Sequence, residues 1–144
     1  MTQHTGTGKY EALLERCRGL EPVATAVAHP CEKTALEGAV DAAEHGLIKP
    51  IVVGPGAKIE EVARANQIDI RKLPVVDVPH SHAAAEKSVE IVREGKAELL
   101  MKGSLHSDEL LAAVVAREGL RTGRRISHVF IMDVPTYHKV LIVT

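Results

Sequence analysis

Tryptophan is absent from this 144-residue chain, and Phe130, Tyr10 and Tyr137 are its only other large aromatic residues. With few rings to stack on bases and a formal net charge of -1, the chain offers neither a base platform nor a field that tracks phosphates. Nucleic acid is therefore not an expected partner. Cysteine is almost as scarce: Cys17 and Cys31 form no CxxC pair and read as reduced cytosolic thiols. No apolar run of about 18 residues and no charged-then-apolar leader occurs, so the expectation is a cytoplasmic protein with no membrane partner.

Several chemical signatures are missing as well. There is no H-E-x-x-H or cysteine-rich ligand spacing, no G-x-x-x-x-G-K-[ST] loop, no G-x-G-x-x-G after the first strand and no G-x-S-x-G elbow. The expected metal content is none. His80-x-His82 with His29 or His106 is the one ligand-like grouping, and loop histidines beside Pro and Ser read better as turn residues.

What the chain has in quantity is aliphatic: 45% of residues are hydrophobic and 26% charged, the balance of an ordinary globular protein. Its length suits one compact unit. The reading is a flexible tail over 1–9 and one α/β domain over 10–144. Tyr10, Leu13, Leu14 and Cys17 form a helical stripe that Gly19 ends. A repeating unit then sets in, a short continuous apolar run followed by a loop and an amphipathic helix. The runs are Val23 to Ala28, Ile51 to Val53, Val75 to Val78 and Leu99 to Met101. The helices carry Leu36, Ala39, Val40 and Ala43, then Val62 and Ala65, then Ala85, Val89 and Val92, then Leu110, Leu111, Val114 and Val115, with Gly46 and Gly119 as stops.

Continuous rather than alternating apolar strands are buried on both faces, as in a parallel sheet covered by helices. The fold class is thus α/β, a three-layer α/β/α sandwich with a mostly parallel sheet, and ligands are expected beyond the carboxyl ends of its strands. Val129 to Met132 and Val140 to Val143 read as closing the series. Leu141-Ile142-Val143-Thr144 has the character of a core-strand interior, so the domain is expected to be truncated at its C-terminal strand and to belong to a longer protein.

Lys102-Gly103-Ser104 lies where a strand meets a loop. Gly103 allows close backbone approach, and Lys102 and Ser104 offer a cation and a hydroxyl to an anion. A capped turn with a solvated lysine explains the same residues, because Ser107 can cap the next helix and Asp108 and Glu109 already fill its first turn. Ser127 and His128 are adjacent in a strand and point to opposite faces, which disfavours a nucleophile and base pair; the plainer reading has them beginning a buried strand. Arg121, Arg124 and Arg125 form a basic group, either a solvated loop or partners for nucleotide phosphates. Gly54-Pro55-Gly56 reads as a turn with no chemistry of its own.

Taken together, Met101-Lys102-Gly103-Ser104-Leu105-His106, Gly119 through Phe130 and Met132-Asp133-Val134-Pro135 resemble the phosphate acetyltransferase and phosphate butyryltransferase family. Ala39-Val40-Asp41-Ala42-Ala43 and Pro50-Ile51-Val52-Val53-Gly54 are similar to that family's first helix and second strand. The resemblance covers roughly Leu20 to Thr144, and Lys102-Gly103 looks more like the butyryltransferase branch. Leu110-Leu111 stands where the acetyltransferase branch carries an arginine.

The resemblance implies the first domain of a two-domain acyltransferase fold. It implies reversible transfer of a short acyl group between coenzyme A and inorganic phosphate, with no tightly bound cofactor and coenzyme A as co-substrate. The partners it implies are acyl-CoA, phosphate and acyl phosphate, with a homo-oligomeric full-length form. It places Lys102, Gly103, Ser104 and His106, with Ser127 and His128, at the substrate cleft, and Arg124 and Arg125 toward coenzyme A. The main catalytic residues are expected beyond Thr144. The alternative is a non-catalytic coenzyme A- or nucleotide-binding module, or an interaction half-domain.

Overall fold

The computed structural model describes residues 8–144, which divide into two compact units. The larger runs from Glu21 to Arg121; the smaller joins the chain up to Leu20 with Thr122–Thr144. The sequence reading has one domain here.

The larger unit carries four parallel strands, β1 (Val23–Ala28), β2 (Ile48–Gly54), β3 (Val75–Asp77) and β4 (Leu99–Lys102), in the order β3-β2-β1-β4. Four helices alternate with them: α2 (Lys33–Glu44), α3 (Gly56–Ala65), α4 (Ser81–Arg93) and α5 (Ser107–Val115). The first helix of the chain, α1 (Lys9–Cys17), belongs to the smaller unit.

Strand parity sorts the core into two layers. Ala24, Ala26, Ile51, Val53 and Leu100 face one side and meet Ala84, Ile91 and Ala97, while Ala28 and Leu100 extend that layer to Ala85, Leu105 and Leu110. Val52 faces the other side, against Leu36, Ile59 and Ala63. Helices α4 and α5 thus cover one face and α2 and α3 the other, the expected three layers. The alanines along β1 let α4 pack through Ala84 and Ala85, because two small surfaces bring backbone close to backbone. At the end of α2, Gly46 takes the left-handed φ of 69° that lets Gly46 N–H and Leu47 N–H turn back onto the Ala43 and Ala42 carbonyls.

The last two strands differ from the sequence expectation. β5 (Phe130–Met132) and β6 (Leu141–Val143) pair antiparallel with each other and lie outside the parallel sheet. Ile131 is 62% exposed and Ile142 70% in this chain. A period-free apolar run signals burial, but a two-stranded ribbon has no helices over its faces. In the same unit the Lys9 ammonium donates to Asp133 Oδ1 at 3.0 Å and to the Val134 carbonyl at 2.7 Å. Helix α1 buries none of its residues, so the stripe from Tyr10 to Cys17 is a real helix without a core beneath it.

Candidate functional site

Strands β1, β2 and β3 step one way across the sheet, and the chain then crosses back to place β4 on the far side of β1. The order reverses between β1 and β4. In doubly wound sheets the loops at the carboxyl ends of such a pair frame the ligand crevice. Here those loops are His29-Pro30-Cys31 and Gly103-Ser104, and they are hydrogen-bonded to each other.

Gly103 N–H donates to the Ala28 carbonyl at 2.8 Å, and Ser104 N–H to the His29 carbonyl at 2.9 Å. A side chain at 103 would collide with those two carbonyls, so only glycine lets the β4 loop lie this flat on the β1 loop. The Ser104 hydroxyl donates to the His29 carbonyl at 2.8 Å, accepts from Cys31 N–H at 3.1 Å and lies 3.3 Å from His29 Nδ1. Cys31 N–H also reaches the His29 carbonyl at 2.9 Å, closing a tight turn about Pro30. His29 sits at the bend with φ 54°, a left-handed backbone that non-glycine residues adopt at a cost.

Neighbouring elements complete the rim. Gly56 N–H, in the first turn of α3, donates to Asp77 Oδ1 at 2.7 Å, so a carboxylate from the end of β3 caps that helix. Ser81 Oγ donates to Glu109 Oε1 at 2.6 Å and ties the start of α4 to the start of α5. His80 Nδ1 accepts from Ala83 N–H at 3.1 Å, a histidine N-cap. Burial pushes the His29 imidazole below its ordinary pKa and the Lys58 ammonium acts in the same direction, while Glu109 and Glu32 oppose them. Burial also raises the Cys31 thiol, which therefore stays protonated at neutral pH.

The expected site residues fall in both units. Lys102, Gly103, Ser104 and His106 line the β4 loop, with Lys102 exposed and His106 at the N-cap of α5 without a side-chain capping bond. Ser127, His128, Arg124 and Arg125 belong to the smaller unit, and all four are exposed. Ser127 and His128 do not begin a buried strand: they precede β5 in open chain, and the His128 ring stacks obliquely on Phe130 with centroids 4.2 Å apart. Among the described residues no cluster of His, Cys, Asp or Glu could hold a metal ion. Among the described residues no helix is long and apolar enough to cross a membrane.

Sequence reasoning gave His29, Lys58, Asp77 and Glu109 no part in an anion or acyl site. The available signal was position, since each lies at or just beyond a strand's carboxyl end or in the following helix's first turn.

No family model matches the chain. The phosphate acetyltransferase of Rhizobium meliloti is 56% identical over 137 residues, which are 94% of this chain and 43% of that protein. Over that span the chain is homologous to proteins named phosphate acetyltransferase and phosphate butyryltransferase. The phosphate butyryltransferase of Clostridium beijerinckii is 31% identical over 136 residues, covering 94% of this chain and 45% of its own length. A solved phosphotransacetylase from Streptococcus pyogenes shares the fold at TM-score 0.71 and 13% identity, over 92% of this chain and 49% of that one. The chain therefore spans less than half the length of these relatives. The higher identity to the acetyltransferase runs against the butyryltransferase leaning drawn from Lys102-Gly103.

Proposed function

We propose that this chain is the N-terminal part of an enzyme that moves a short acyl group between coenzyme A and inorganic phosphate. The observation that carries the reading is the 56% identity to a phosphate acetyltransferase across nearly the whole chain. In this reading the crevice over β1 and β4 receives the acyl phosphate, and the thiol of coenzyme A attacks its carbonyl carbon.

Each group has work suited to its chemistry. The exposed Lys102 ammonium neutralises phosphate charge at the mouth. Gly103 and Ser104 hold the floor flat, and His106 stands at the start of α5. Arg124 and Arg125 meet the phosphates of coenzyme A, with Ser127 and His128 beside them. The acyl carbonyl and the thiol gain most from being held together, since orientation supplies much of such a rate enhancement. The proposed partners are acyl-CoA, phosphate and acyl phosphate, in a cytoplasmic homo-oligomer.

The test is formation of acyl-CoA from acetyl or butyryl phosphate and coenzyme A by the complete gene product carrying this sequence. Turnover of either substrate is expected, and turnover of neither overturns the proposal. In that protein, Lys102→Ala is expected to raise the KM for acyl phosphate about tenfold with kcat little changed, the pattern of a lost ground-state contact. Unchanged kinetics would remove Lys102 from the site.

A further inference from the structure

We propose that the cavity at the end of α3 binds a small aliphatic α-amino acid, recognised by the Gln67 carboxamide, the Arg64 guanidinium and the Glu60 carboxylate. Helix α3 runs back from the carboxyl end of β2 to the amino end of β3, so this cavity lies at the opposite end of the sheet from the crevice. The proposal stands independently of the acyl-transfer reading.

The first signal is a local preference that the chain breaks once. Helices α2, α3 and α4 close with the same pair of hydrogen bonds. In α2, Gly46 N–H and Leu47 N–H turn back onto the Ala43 and Ala42 carbonyls; in α4, Gly95 and Lys96 do so onto Val92 and Ile91. In α3 the same bonds run from Gln67 and Ile68 to Arg64 and Ala63. The first residue of each pair is left-handed, with φ of 69°, 73° and 58°. Glycine fills that position in α2 and α4, as its freedom from a Cβ favours. Helix α3 puts a glutamine there. A side chain kept against local preference marks a position with other work to do.

The second signal is what that glutamine reaches. Gln67 lines a cavity of about 380 Å³, within the range of small-ligand sites. Its apolar part comes from Ile68 and Ile70, which are half-buried and pack on the cluster of Leu36, Ile59 and Ala63. Its charged part divides in two. Arg71 closes on Asp69, Nε donating to Oδ1 at 2.9 Å and Nη2 to Oδ2 at 2.7 Å, so that pair is satisfied internally. Glu60 and Arg64, one turn apart on α3, form no ion pair with any described residue. The open lining is therefore one carboxylate, one guanidinium and one carboxamide beside an apolar floor.

That set discriminates by charge. Glu60 repels a phosphate or dicarboxylate that Arg64 alone would attract, and Arg64 repels a simple amine. A zwitterion satisfies both: its ammonium pairs with Glu60, and its carboxylate accepts from the fork of Arg64. The Gln67 carboxamide, with donor and acceptor ends, bonds to either group. An aliphatic side chain then covers Ile68 and Ile70.

The test is calorimetric titration of the complete gene product with L-leucine, beside 4-methylpentanoate and isoamylamine, which each lack one of its charges. L-leucine is expected to bind once per chain, and the two analogues at least tenfold more weakly. Gln67→Gly restores the residue the helix stop favours, so its melting midpoint is expected within about 3 °C of the wild type while L-leucine affinity falls at least tenfold. No binding of L-leucine to the wild type, equal binding of either analogue, or undiminished binding by a cooperatively melting Gln67→Gly protein overturns the proposal. Should that variant lose its cooperative melt, Arg64→Gln on the exposed side of α3 reads the same site. The same tenfold loss is expected there, and unchanged affinity overturns the proposal.

Discussion

Ser104 joins three parts of one loop, and its hydroxyl has no apolar substitute. Ser104→Ala leaves Cys31 N–H with its second acceptor, the His29 carbonyl, but strips His29 Nδ1 of its partner. A loss of about 1–2 kcal/mol of unfolding free energy is expected in a urea titration. Gly103→Ala is expected to cost more, about 2–3 kcal/mol, because two backbone carbonyls would have to move.

The partly buried His29 and the buried Cys31 also set how stability varies with pH. His29 has a lowered pKa, so as pH falls below its ordinary 6.5 the unfolded chain takes up that proton first and stability declines. Cys31 has a raised pKa, so above its ordinary 9.0 the unfolded chain loses that proton first and stability declines there too. Denaturation midpoints measured across pH should show both losses, and Cys31→Ala should abolish the alkaline one.

At the scale of elements, β1 to β4 and α2 to α5 were legible because continuous apolar runs alternate with stripes at helical spacing. Leu36 and Ala39 of α2, and Ala85 and Val89 of α4, are buried where periodicity puts them. What the pattern lacks is the partner. Phe130 to Met132 is as apolar as β4, yet it pairs antiparallel with β6 in the open, because an apolar run says that burial is favourable and not what supplies it. The site was half legible for a similar reason: Lys102-Gly103-Ser104 stood out as a loop motif, whereas its union with His29 joins positions 75 apart in sequence. The Asp77 cap of α3 spans 21 positions and was equally invisible. Asp77→Ala is expected to destabilise by about 1 kcal/mol, with the loss of protection in amide exchange concentrated in the first turn of α3.

On the scale of the whole molecule, Glu21–Arg121 holds the parallel sheet, both helix layers and the three apolar clusters described above. As an isolated piece it is expected to melt cooperatively with mixed α/β circular dichroism; a broad, non-cooperative loss of signal would contradict that. Its crevice sits where the strand order reverses, the place at which doubly wound sheets gather their ligands.

The most direct test of the account follows the thioester absorbance when the complete gene product is mixed with acetyl or butyryl phosphate and coenzyme A. The account predicts steady thioester formation that depends on both substrates. No thioester from either acyl phosphate, in a protein with an intact cooperative melt, would contradict it.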